Sequence, residues 1–191
     1  MMTTTELSCA CGQVHLSVQD RPIIVAECFC NSCREAKRRM EALPGAPKVV
    51  GTQGSSHYVL YRKDRVQILQ GKENLRNFRL SEKTPTRRVI ATCCNTPVLT
   101  ELKGGHWASL YGNLWHGQAL PKPDLRTQTG DVPAGVVLDD SVPAGGWQTA
   151  KFFASLLGAW IAMGLKVPVL AGDTPEMKLK GSSGPGGAPE G

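Results

Sequence analysis

Cys28-Phe29-Cys30-Asn31-Ser32-Cys33 puts three cysteines into six residues, and the reading of this stretch decides the rest. It fuses a C-x-C to a C-x-x-C. The C-x-x-C half makes a tight turn that lets two sulfurs approach one metal ion at about 2.3 Å each, the usual zinc–thiolate distance. A helix is expected to begin in this turn, near Asn31 or Ser32, and to run to about Leu43. Arg34, Glu35, Ala36, Lys37 and Arg38 favour or tolerate helix, and Pro44-Gly45 stops it. The free N–H groups at a helix start favour thiolate over thiol.

Upstream lies Cys9-Ala10-Cys11-Gly12. On an extended segment residues i and i+2 point to one side, so this pair is expected to chelate from a strand, with Gly12 turning the chain. Downstream lies Cys93-Cys94-Asn95-Thr96-Pro97. Adjacent strand residues point to opposite faces, so both sulfurs serve one site only if the backbone turns; Asn95 tolerates the positive φ that such a turn needs. These three clusters hold all 7 cysteines of the chain. Isolated cysteines are commonly buried small hydrophobes, but that does not account for tight grouping. An odd number also fits complete disulfide pairing poorly. Met1 to Glu6 carries no basic segment followed by an apolar run, so no secretory signal is expected there. A cytoplasmic setting with reduced thiols follows. Grouped thiolates suit tetrahedral zinc, although iron–sulfur ligation draws on the same residues.

Around the clusters, short apolar runs are separated by turn residues. Val14, Leu16 and Val18 alternate with polar residues; Ile23 to Ala26, Tyr58 to Tyr61, Val66 to Leu69, Leu75 to Leu80 and Arg88 to Thr92 read as further strands. Mainly antiparallel β structure is expected. After Gln118 prolines and glycines multiply, and Trp147 to Leu165 reads as one helix with Phe152, Phe153, Leu156, Leu157, Trp160 and Ile161 in a stripe. Its uncharged core is short of the roughly 18 residues that cross a bilayer, so no transmembrane segment is expected. Docking on its own domain or on a sister subunit is expected instead, with an interfacial membrane helix as the alternative, and docking makes this helix the candidate surface for a homo-oligomer. The division expected is 6–118 for a metal-binding domain, 119–146 for a Pro/Gly-rich connection, 147–170 for the helix region and 181–191 for a disordered tail. With 22 Lys and Arg against 16 Asp and Glu, the net charge is +6, a moderate excess without a strong nucleic-acid signal.

In these motifs the chain resembles the family of glutathione-dependent formaldehyde-activating enzymes and centromere protein V. The resemblance rests on Cys9-Ala10-Cys11-Gly12, on Cys28 to Cys33 followed by Arg34, on Asp64 to Gly71, and on Cys94-Asn95-Thr96-Pro97, and spans about residues 6 to 115. It implies a β-tent, in which small antiparallel sheets are clamped by zinc. Carried over, Cys9, Cys11 and Cys94 are structural zinc ligands, while Cys28, Cys30 and Cys33 hold a second, more open zinc and are the candidate catalytic residues. The chain departs from the family where Ala91 replaces the first cysteine of the last pair, so either Cys93 substitutes through a bulge or the site takes another fourth ligand. It departs again at Asn95, usually Gly, and at Phe29, commonly His. These changes mark a divergent member.

The implied activity is that of a carbon–sulfur lyase resembling S-(hydroxymethyl)glutathione synthase, with a small thiol adduct as substrate. The rival is a non-catalytic zinc-binding interaction module whose zinc is purely structural. His15, His57, His106 and His116 are each candidates to complete a metal shell, with an ordinary core or surface histidine as the alternative. The basic run Arg34, Lys37, Arg38, Arg39 reads as a solvated helix face, or else as an attractor for substrate carboxylates.

Overall fold

Alternating burial builds two sheets. Strands β1 (Thr4–Ser8), β2 (His15–Gln19) and β5 (Val66–Gln70) form a three-stranded antiparallel sheet in the order β1-β2-β5. Strands β3 (Ile24–Cys28), β4 (Ser56–Arg62), β6 (Leu75–Phe78), β7 (Thr86–Ala91), β8 (Thr96–Leu102), β9 (Trp107–Tyr111) and β10 (Leu125–Thr127) form a seven-stranded sheet in the order β10-β3-β4-β9-β8-β7-β6. Two α-helices, α1 (Asn31–Glu41) and α2 (Gly146–Ala162), complete the computed structural model, which describes residues 3–172 and 174–179. The tail expected at 181–191 lies outside the described residues. The fold is mainly β, with one helix directly after the second cysteine cluster and one near the C-terminus.

Side chains of the large sheet point alternately to its two faces. Val25, Val59, Val89 and Leu110 meet Leu16 and Val18 of the small sheet. Ile24, Ala26, Tyr58, Leu60 and Ile90 point the other way, towards Cys33, Ala36 and Met40 of α1 and Leu156 of α2. One large sheet is thus covered by a small sheet on one face and by helices on the other.

Helix α1 starts where the C-x-x-C spacing predicts. Cys30 is its N-cap, and the Cys30 sulfur accepts a hydrogen bond from the Cys33 N–H at 3.3 Å. Cys33, Ala36 and Met40, three and seven residues apart, form the buried face. The helix ends before Pro44-Gly45, and Gly45 takes φ +67°, a conformation that favours glycine.

The Pro/Gly-rich stretch contains a strand that alternation did not reveal. β10 pairs in parallel with β3, Leu125 opposite Ala26, so the large sheet is not wholly antiparallel. A buried ion pair holds it there: Arg126 Nε lies 3.1 Å from Glu27 Oε2, and both side chains are 4% exposed. Asp124 Oδ2 also accepts the Val25 N–H at 2.8 Å. Helix α2 ends at Ala162, earlier than the apolar stripe suggests, and Gly164 takes φ +66° just beyond it. Leu156 is buried against the sheet, whereas Phe153, Leu157 and Ile161 are exposed. Among the described residues no helix is long and apolar enough to cross a membrane.

Candidate functional site

The hairpin between β1 and β2 and the turn between β7 and β8 bring four cysteines together. The sulfurs of Cys9, Cys11, Cys93 and Cys94 all lie within 4.8 Å of one another. Cys9 Sγ is 3.6 Å from Cys11 Sγ and 3.7 Å from Cys93 Sγ, and the Cys93 and Cys94 sulfurs are 3.9 Å apart. Tetrahedral bonds of about 2.3 Å place sulfurs roughly 3.8 Å apart along each edge, so this donor set fits a zinc ion. A disulfide, at about 2.05 Å, is far shorter.

Cys9 and Cys11 do not chelate from an extended strand. The chain turns at once: the Gly12 N–H donates to the Cys9 carbonyl at 2.9 Å and Gly12 takes φ +72°. The turn also aims the Val14 N–H at Cys9 Sγ, 3.3 Å away. At the other end the backbone turns after Cys94, with Asn95 at φ +54°. That turn lets both neighbouring sulfurs reach the same group. Burial raises the Cys9 thiol. Burial would raise Cys94 too, but contacts from the Thr96 hydroxyl, 3.0 Å away, and from Cys11 bring it down to about 6.

The second group is Cys28, Cys30 and Cys33, its sulfurs likewise within 4.8 Å of one another. Cys28 sits at the end of β3, Cys30 caps α1 and Cys33 lies in its first turn. The Cys28 and Cys33 sulfurs are 3.7 Å apart, again a tetrahedral edge. Hydrogen bonding with Cys28 and then Cys33 lowers Cys30 to about 2, while contacts with Cys28 and then Cys30 push Cys33 up. The helix cap directs the Cys33 N–H, at 3.3 Å, and the Ser32 hydroxyl, at 3.2 Å, towards Cys30 Sγ, and such contacts favour a thiolate there. No fourth Cys, His, Asp or Glu joins this group among the described residues.

Beside the three sulfurs lies a cavity of about 230 Å³ walled by Tyr58, Arg88, Trp107 and Phe152. The Tyr58 hydroxyl is 3.5 Å from Cys33 Sγ and 3.3 Å from the Tyr111 hydroxyl. Burial keeps Tyr58 protonated well above the usual phenol range. A larger cleft of about 520 Å³, between Lys63, Arg79, Arg87 and Glu101, contains no cysteine.

None of the four histidines joins a cysteine group, and three of them are bonded elsewhere. His15 Nε2 bonds the Gly12 carbonyl at 2.6 Å, and His116 Nε2 lies 3.1 Å from the Ser8 carbonyl. His106 Nε2 donates to the Leu156 carbonyl at 2.8 Å and its ring stacks on Trp160, so it seats α2. His57 is buried between strands. The basic run on α1 is tied up too: Arg34 binds Asn31, Lys37 binds the Ser55 carbonyl, and Arg38 and Arg39 pair with Glu35. Sequence reasoning missed Arg88, Trp107 and Phe152 as cavity walls. Arg88 precedes Ile90 by two residues in β7, the one available signal that both point towards the helices.

No curated protein matches the chain. A solved structure of a Rhodobacter sphaeroides protein from a structural genomics programme is similar at a TM-score of 0.44 and 14% identity, covering 74% of this chain and 100% of that one. The profile of the family described as glutathione-dependent formaldehyde-activating enzyme matches residues 4–119, more than half of the sequence, and the chain belongs to that family.

Proposed function

We propose that the protein holds zinc at both cysteine groups and acts as a carbon–sulfur lyase on a small thiol adduct at Cys28, Cys30 and Cys33. The observation that carries this reading is the contrast between the groups: four sulfurs in one, three beside a cavity in the other. Zinc bound by three protein ligands supplies a Lewis acid that favours the thiolate form of an incoming sulfur. The reaction class is reversible addition of a thiol to an aldehyde carbon. A carbon–sulfur bond forms, the thiol proton ends on the former carbonyl oxygen, and no oxidant is needed.

The chain's own residues do the rest. Trp107 and Phe152 wall the cavity with apolar surface that excludes water. Tyr58, protonated and beside Cys33, is placed to donate a hydrogen bond within it. In this reading residues 6–118 form the metal-binding domain, 119–146 tie it to the helix region 147–170, and Phe152 from that region closes the cavity. Reduced thiols at both groups suit a cytoplasmic setting.

Metal content and cobalt substitution test this. Two equivalents of metal are expected in the wild type, falling to one in Cys28→Ser and to one in Cys94→Ser. Small thiols are expected to change the visible spectrum of the cobalt-loaded wild type and to leave that of Cys28→Ser unaltered. If no thiol alters the wild-type spectrum, the lyase reading is wrong and the non-catalytic zinc module takes its place.

A further inference from the structure

One cross-strand row floors the cavity: Leu60 on β4 stands opposite Ser109 on β9, Ser109 opposite Thr100 on β8, and Thr100 opposite Arg88 on β7. All four line the same space as the three sulfurs. Arg88 is 1% exposed and ranks among the largest fully buried side chains. Its Nη2 donates to the carbonyl of Ser32, the residue just before Cys33, at 3.3 Å. Its Nε and Nη1 find no acceptor among the described residues. No Asp or Glu lines the cavity.

A buried guanidinium with idle donors is costly unless an acceptor meets it. Its planar fork matches a carboxylate. We propose that Arg88 anchors the carboxylate of the substrate, so that the site takes a short mercaptocarboxylate, or its aldehyde adduct, rather than a bulky thiol. Size agrees. About 230 Å³ falls below the roughly 300–1,000 Å³ of pockets that enclose drug-sized ligands. A carboxylate held at Arg88, which is tied to the Ser32 backbone, stands only a few atoms from a sulfur held at the cysteines. The Ser109 hydroxyl beside it can donate to the same anion, while the Thr100 hydroxyl is already given to Tyr111 at 3.2 Å. This inference rests on the reading that the three-cysteine site receives a thiol.

The experiment titrates cobalt-loaded protein with 3-mercaptopropionate, with its methyl ester and with 2-mercaptoethanol, following the visible spectrum. The acid is expected to half-saturate at a concentration at least about tenfold lower than the ester, since a charged hydrogen bond contributes that much or more. Arg88→Met is expected to erase the difference and Arg88→Lys to keep part of it. Equal half-saturation by acid and ester in the wild type overturns the inference: Arg88 then only balances the charge of the thiolates, while the thiol site itself stands. A spectrum that none of the three alters removes the thiol site and the anchor together. The acid–ester comparison needs only the wild type, so it decides even if Arg88→Met does not fold.

Discussion

His57 on β4 stands opposite Glu27 of β3, buried, with its Nε2 bonded to nothing among the described residues. Burial lowers its affinity for a proton below the usual 6.5, although nearby Glu27 pulls the other way. His106, under α2, is shifted in the same direction by burial. In the unfolded chain each imidazole gains its proton near pH 6.5, whereas the buried ring gains it only at lower pH. Below pH 6.5 the unfolded state therefore binds more protons, and stability falls as pH falls, by at most about 1.4 kcal/mol per pH unit for each proton. Urea unfolding between pH 7 and pH 5 should show this loss, with a shallower slope in His57→Gln. An unchanged slope in that variant would remove His57 as a contributor. At this scale, what could be read in advance was local. The spacing of Cys28, Cys30 and Cys33 carries its own geometry, and Asn95 announces its turn. Arg88 was illegible because a basic residue in a strand says nothing about what covers it, and α1 and α2 lie far from it in sequence.

Among the elements, α1 and the strands from β2 to β7 were legible because their patterns repeat every few residues. β10 was not: three residues are too few to alternate, and its place is fixed by Arg126 reaching Glu27 across 99 positions. Thr52 also gives its hydroxyl to Glu27 at 2.8 Å, so three separate segments meet on one carboxylate. Arg126→Met leaves that buried charge uncompensated and should cost about 3 kcal/mol, the low end for breaking a buried pair. The matching fall in Tm is about 6–12 °C for a chain of this size. The double variant Glu27→Leu/Arg126→Met should recover part of the loss, because it removes the stranded charge as well. A single variant as stable as the wild type would show that the stretch after Gln118 is held by something else.

For the whole molecule, the four-sulfur group ties the β1–β2 hairpin of the small sheet to the β7–β8 turn of the large one. Metal bound there stabilises folding outright, because the unfolded chain has no such site. Treating the purified protein with a strong chelator under reducing conditions should lower Tm by at least about 10 °C. Readdition of zinc should restore it, and an unchanged Tm would mean that the sheets stand without metal. That the cysteines can hold metal was legible from their grouping, but the pairing of the first cluster with the last came only from the family resemblance; the order of the large sheet was legible from neither, because strand neighbours are set by contacts between distant segments.

The hairpin sulfurs also have a history before folding finishes. Cys9 and Cys93 are separated by 84 positions. At a synthesis rate of about 5–20 residues per second, Cys9 and Cys11 emerge from the ribosome roughly 4–17 seconds before their companions emerge. During that interval they are an exposed dithiol, open to oxidants and to whatever stray copper or zinc the cell has loose. Expression in an oxidising host should therefore damage the nascent chain first at its earliest cysteines.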